Sequence, residues 1–113
     1  MSNYLIEQYE QIRADVAESA VRAGRNPADV RLIAVSKTFP VEDIQTVYNA
    51  GQRCFGESRI QELEPKCAVL PDDIEWHLIG HLQGNKAVRA VSCATYIHSV
   101  DSLKLLERLD RLA

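Results

Sequence analysis

Leu32-Ile33-Ala34-Val35-Ser36-Lys37-Thr38-Phe39-Pro40 is the stretch from which the fold can be read. Apolar residues run almost without interruption into Ser36 and Lys37, and Pro40 then removes a backbone donor and halts the extended chain. Residues 30–36 are therefore predicted as a strand, apolar enough to be buried on both faces as in a parallel sheet. Immediately beyond, residues 41–48 place Ile44, Val47 and Tyr48 on one helical face, and Gly51 closes the helix. Arg53-Cys54-Phe55 follows as a second short strand that ends in Gly56-Glu57.

The same grammar extends in both directions. Upstream, Leu5, Tyr9, Ile12, Val16 and Ala20 recur at three- and four-residue steps, predicting one amphipathic helix with Gly24 at its C-cap. Arg25-Asn26-Pro27 forces a turn. Downstream, Ser58 is expected to cap a helix that turns Ile60 and Leu63 inward and is disturbed near Pro65. A loop at Pro71-Asp72-Asp73 leads to a third strand over 75–79, a polar loop from Gly80 to Gly84 and a short helix over 85–91. A fourth strand is expected over 95–98. Asp101 is then the expected cap of a final helix carrying Leu103, Leu106 and Leu109.

The result is a leading helix and four strand–helix units, an α/β chain with a parallel sheet and right-handed crossovers. Two architectures satisfy that order: an open doubly wound sheet of the flavodoxin kind, or half of a (β/α)8 barrel. A whole barrel takes about 250 residues and eight units. With 113 residues, the expectation is one domain over 1–113, a truncated or half-barrel form.

Composition narrows the function classes. Hydrophobic residues make up 46% and charged residues 26%, an ordinary balance for a globular domain. The net charge of −3 is spread without a basic stripe, so no nucleic-acid partner is expected. No apolar run approaches the roughly 20 residues that span a bilayer, and Met1-Ser2-Asn3-Tyr4 does not lead into a secretory signal. Cys54, Cys67 and Cys93 are odd in number and far apart, which implies reduced thiols and a cytoplasmic protein.

In both candidate architectures functional groups collect at the C-terminal ends of the strands. Those ends are Lys37, Gly56-Glu57-Ser58, Gly80-His81-Leu82-Gln83 and His98-Ser99, all polar or glycine apart from Leu82. A lysine at the mouth of a buried strand suits Schiff-base chemistry, because partial desolvation helps its amine shed a proton. The plainer alternative is a lysine that merely ends a strand at the surface. Other chemistries fit less well. His77 and His81 are four apart but fall in strand and loop, so no metal site is expected. Neither a nucleophile elbow, a dinucleotide fingerprint nor a P-loop is present. Trp76, Phe55 and Tyr96 are expected in the core.

Ala34-Val35-Ser36-Lys37-Thr38, Phe55-Gly56-Glu57-Ser58-Arg59-Ile60-Gln61-Glu62 and Trp76-His77-Leu78-Ile79-Gly80-His81-Leu82-Gln83-Gly84-Asn85-Lys86 resemble, in order and spacing, the signature segments of the pyridoxal-phosphate homeostasis protein family. Ile97-His98-Ser99-Val100-Asp101-Ser102 matches in kind and position. The resemblance implies the barrel of the alanine racemase N-terminal domain, with pyridoxal 5′-phosphate as cofactor, an imine on Lys37, and Ser58 and His77 as further cofactor-binding candidates. It implies cofactor buffering or delivery, with no robust catalysis and no catalytic residue. Ser58 stands where the family usually has asparagine, and Gly84 where it usually has serine. Members run to roughly twice this length, so the segments here are expected to supply only the first half of a barrel. Weak cofactor binding by this chain alone is the consequence, and a homodimer through exposed half-barrel edges is one way to complete it. The alternatives are an amino-acid racemase-like enzyme and a half-barrel scaffold whose lysine is vestigial.

Overall fold

Each strand is followed by a helix that packs back against it, and all four strands run parallel. The computed structural model describes residues 2–37, 39–80, 82–98 and 103–112. Helix α1 (Ser2–Arg22) leads, followed by β1 (Ala34–Val35), α2 (Val41–Asn49), β2 (Cys54–Glu57), α3 (Ile60–Val69), β3 (Glu75–Leu78), α4 (Ala87–Cys93), β4 (Tyr96–Ile97) and α5 (Leu103–Leu112). Gly24 and Gly51, at the ends of α1 and α2, have φ of 74° and 117°, a region open to glycine at little cost.

The sheet order is β1-β2-β3-β4, with each strand beside its neighbour in sequence. A flavodoxin-like sheet reverses its order at a switch point. No reversal occurs here, so of the two architectures the order is that of consecutive barrel strands. No helix among the described residues is long and apolar enough to cross a membrane.

One sheet face is packed and the other is open. Phe55, Trp76 and Leu78 lie under Ile44 and Val47 of α2, Ile60 and Leu63 of α3, Ala87 and Ala90 of α4, and Leu105 and Leu109 of α5, in one continuous core. The rings of Phe55 and Trp76 meet with centroids 5.9 Å apart, as the sequence reading expected of core aromatics. On the opposite face Val35, Gly56, His77 and Tyr96 are register partners across the four strands. Val35 is 47% and Tyr96 48% exposed. The expectation of a first strand buried on both faces is therefore corrected: only its helix-side face is covered. Tyr96 is likewise no core residue but a half-exposed ring on the open face.

The first strand is also shorter than its apolar run. Gln52 explains this, because its side-chain amide donates to the Leu32 carbonyl at 2.6 Å and to the Cys54 carbonyl at 2.7 Å. Tyr9 of α1 in turn donates to the side-chain oxygen Oε1 of Gln52 at 2.9 Å. A side-chain bridge thus does at Leu32 what a ladder bond would do in a longer strand. Two helical details differ from expectation. Helix α3 starts after Arg59 without a side-chain cap, so Ser58 does not cap it. In α5 the buried pair is Leu105 and Leu109, one turn apart, and Leu106 is 51% exposed. The expected cap Asp101 lies outside the described residues.

Between α3 and α4, Cys67 and Cys93 are hydrogen-bonded neighbours, and all three cysteines are free and half-buried. Burial, then the Cys67 hydrogen bond, pushes the Cys93 thiol up to about 11, Glu64 adding to the rise and Arg89 opposing it. The fold thus favours the neutral thiol. Its stabilising contribution is complete below pH 9.0, the ordinary value, and is lost as pH climbs toward about 11. At pH 8, iodoacetamide is expected to label Cys93 roughly a hundredfold more slowly than an unperturbed thiol, as only the thiolate reacts. Peptide mapping of a timed alkylation reads that rate.

Candidate functional site: the C-terminal rim and open face of the sheet

Lys37 follows Ser36 directly at the C-terminal end of β1, in a turn whose Phe39 amide donates to the Ser36 carbonyl at 3.1 Å. Its side chain is exposed. The described residues do not supply the apolar enclosure expected around this amine, because none of them forms a covering layer on the open face beside it. Ser58, half-buried, ends β2 at the same rim. Its carbonyl presses on Gly80: a Cβ built on Gly80 would lie 2.0 Å from the Ser58 oxygen. The glycine is therefore what lets the two strand ends approach. Gly80→Ala is expected to drive them apart and cost about 1–3 kcal/mol, as overpacking does, measurable by urea unfolding.

His77 sits mid-strand on the open face, yet only 5% of its surface is exposed. Tyr96 stacks on it at 4.8 Å and 16°. One ring nitrogen, Nδ1, is 2.9 Å from His98 Nε2, and the other, Nε2, is 3.1 Å from Glu75 Oε1. Arg31 donates to that same Glu75 oxygen at 2.7 Å. The three cofactor candidates are thus placed differently: Lys37 and Ser58 on the rim, His77 deeper on the open face. His81 and Ser99 lie outside the described residues.

Sequence reasoning missed the densest polar cluster, which supports this rim from below. Lys66 of α3 is 8% exposed and Glu57 of β2 is fully buried. The Lys66 ammonium donates to Glu57 Oε1 at 3.1 Å, to Glu57 Oε2 at 3.0 Å and to the Ser36 carbonyl at 3.0 Å. The Ser36 hydroxyl also donates to Glu57 Oε2. The residue before Lys37 is thereby tied to β2 and α3 through one buried pair. A signal existed: Lys66 continues the three-residue spacing of Ile60 and Leu63 on the inward face of α3.

A cavity of about 160 Å³ opens beside the ends of β2 and β3, lined by Arg59, Ile60, Gln61, Leu82, Gln83 and Lys86. It brings two cations and two amides to the same end of the sheet as Lys37.

No protein-family model matches the sequence. The pyridoxal phosphate homeostasis protein of Synechocystis sp. is 54% identical over 89 residues, which are 77% of this chain and 41% of the relative. The chain is a homologue of the pyridoxal phosphate homeostasis proteins. Solved structures agree with that relationship. PipY of Synechococcus elongatus PCC7942, determined with PLP bound, is 51% identical with a TM-score of 0.72, matching 86% of this homologue and 47% of PipY. An uncharacterised protein from Bifidobacterium adolescentis is 30% identical with a TM-score of 0.84, matching 97% of this homologue and 49% of that chain. The homologue spans about half the length of the relatives it matches.

Proposed function

We propose that this chain binds pyridoxal 5′-phosphate (PLP) in cofactor homeostasis, holding it as a Schiff base on Lys37, and is not itself an enzyme. The observation that carries the reading is the position of Lys37: an accessible amine at a strand end, in a chain that matches PLP-bound PipY over 86% of its length at 51% identity. Bound PLP supplies an aldehyde that condenses reversibly with an amine, losing one water, and returns to a competing amine.

The residues present fit that group in part. Lys37 offers the amine at the rim. Ser58 offers a hydroxyl there, shorter in reach than an amide. His77 brings a ring held by Tyr96, His98 and Glu75. Arg59 and Lys86 supply positive charge beside the strand ends, suited to a phosphate. Their cavity of about 160 Å³ is small beside the roughly 300–1,000 Å³ of ordinary ligand sites. Arg59 is exposed and so is screened by salt. Lys37 thus supplies an amine for covalent attachment while the non-covalent grip is partial, so binding by this chain alone is weak and falls as ionic strength rises. A reducing, cytoplasmic setting fits the three free thiols.

The test is to mix the protein with PLP, follow the visible absorbance of the imine, reduce with borohydride and map the pyridoxyl peptide. A selective adduct on Lys37 is expected. Random labelling across surface lysines overturns the reading.

Two observations favour a homodimer through the same open face. Among the described residues β1 and β4 each pair on one edge only, and Val35 and Tyr96 lie half-exposed on those two edge strands. A second four-stranded half would cover both edges and the apolar surface. Light scattering is expected to give twice the monomer mass at high concentration, and a clean monomer there ends the idea.

A further inference from the structure

Cys54, Glu75 and His77 converge on the open face of the sheet. Cys54 and Glu75 are register partners on β2 and β3, and His77, two residues beyond Glu75, returns to the same side of the strand. One donor atom from each lies within 4.8 Å of the other two. This grouping adds Cys54, which the cofactor reading leaves without a role, to His77 and to the Glu75 that holds its ring.

We propose that Cys54, Glu75 and His77 form a binding site for a zinc(II) ion. The donor set is a thiolate, an imidazole and a carboxylate, the mixture of S, N and O ligands that zinc accepts. Three protein ligands leave a fourth tetrahedral position, here directed to the open side of the sheet. Zinc bonds of about 2.0–2.3 Å place ligand atoms roughly 3.3–3.6 Å apart, so the present spacing closes by about 1 Å. Rotation about the Cys54 and Glu75 side-chain bonds supplies such a movement.

The surroundings orient the donors. His77 Nδ1 is engaged with His98 Nε2 at 2.9 Å, which leaves Nε2 as the nitrogen facing Glu75. A metal-bound imidazole ordinarily has its other nitrogen held in this way. Tyr96, stacked on the ring, fixes its plane. Arg31 stays on one oxygen of Glu75 while the other turns to the ion, since a carboxylate has acceptor capacity on both. On binding, zinc takes the Nε2 lone pair of His77 in place of the hydrogen bond to Glu75, and the His77 ring proton moves from Nε2 to Nδ1. The Cys54 thiol proton leaves to solvent and its sulfur pair bonds the metal. His77 Nδ1 then donates to His98 Nε2, whose own ring proton stands on its Nδ1.

The test is a titration of the 113-residue chain with cobalt(II), read by absorbance, followed by displacement with zinc. One equivalent of cobalt is expected to produce tetrahedral visible bands and a near-ultraviolet thiolate charge-transfer band, both removed by one equivalent of zinc. Cys54→Ser should abolish the charge-transfer band while Cys67→Ser and Cys93→Ser leave it. Glu75→Gln, close in shape, should weaken zinc at least about tenfold, and His98→Ala about 10–100-fold. Cys54→Ser should still trap PLP on Lys37, so failure of the metal site and failure of the cofactor reading are separable. Absence of a stoichiometric cobalt spectrum, or one that survives Cys54→Ser in a chain with parental circular dichroism, overturns the proposal.

Discussion

Replacing Lys66 by methionine is expected to cost about 3–5 kcal/mol of unfolding free energy, the penalty for leaving a buried charge without its partner. Glu57 is fully buried, and its ionic partner in the core is the ammonium that reaches across from α3. Methionine preserves the length and packing of the stem but removes three hydrogen bonds, two to Glu57 and one to the Ser36 carbonyl. A domain of this size is stable by only about 5–15 kcal/mol, so the loss is a large share of the total. Adding Glu57→Gln should restore most of it, because the amide is neutral and its oxygen still accepts from the Ser36 hydroxyl. Urea unfolding of the parent, both single variants and the double variant closes the cycle. A cost below about 1 kcal/mol for Lys66→Met would mean that water reaches Glu57 and the pair is not buried.

Much of the fold was legible because periodicity and punctuation agree. The alternation of short apolar runs with helical faces located all four strands, and Gly24 and Gly51 stand where positive φ ends α1 and α2. What sequence could not show was which faces are covered. Leu32-Ile33-Ala34-Val35 has the apolar density of a strand buried twice over, but density does not reveal whether a second layer is present. Strand length was overread for a related reason: the Leu32 carbonyl is satisfied by Gln52, a polar residue twenty positions away whose role depends on tertiary approach. In α5, Leu103, Leu105, Leu106 and Leu109 allow two inward phases, and contact with the core selects Leu105 and Leu109.

The site was legible at its rim and obscure beneath it. Lys37, Ser58 and Gly80 end three strands, and strand ends follow directly from segment boundaries. The Glu57–Lys66 pair joins a strand to the helix after it, and a charged residue in a helical segment ordinarily faces water. Only its phase with Ile60 and Leu63 marked Lys66 as inward. Cys54, Glu75 and His77 were further out of reach, because their meeting depends on the β2–β3 register rather than on any local spacing.

Lys37→Ala is expected to remove the selective pyridoxyl adduct altogether, leaving only the slow labelling common to surface lysines. Lys86 lines the neighbouring cavity and is only half-exposed, and Lys66 is committed to Glu57 and Ser36. Among these three amines Lys37 alone is exposed at a strand end. Lys37→Arg is the sharper variant, since it keeps the charge yet has no amine that condenses with an aldehyde under these conditions. Both variants should lower trapped PLP by about tenfold or more, corresponding to about 1.4 kcal/mol of lost binding for each factor of ten. Because the side chain is exposed, neither should shift the urea midpoint by more than about 0.5 kcal/mol. Loss of the adduct with unchanged stability assigns Lys37 to the cofactor. An adduct that moves intact to Lys86 would place PLP in the cationic cavity instead, and would reduce Lys37 to a lysine that ends a strand.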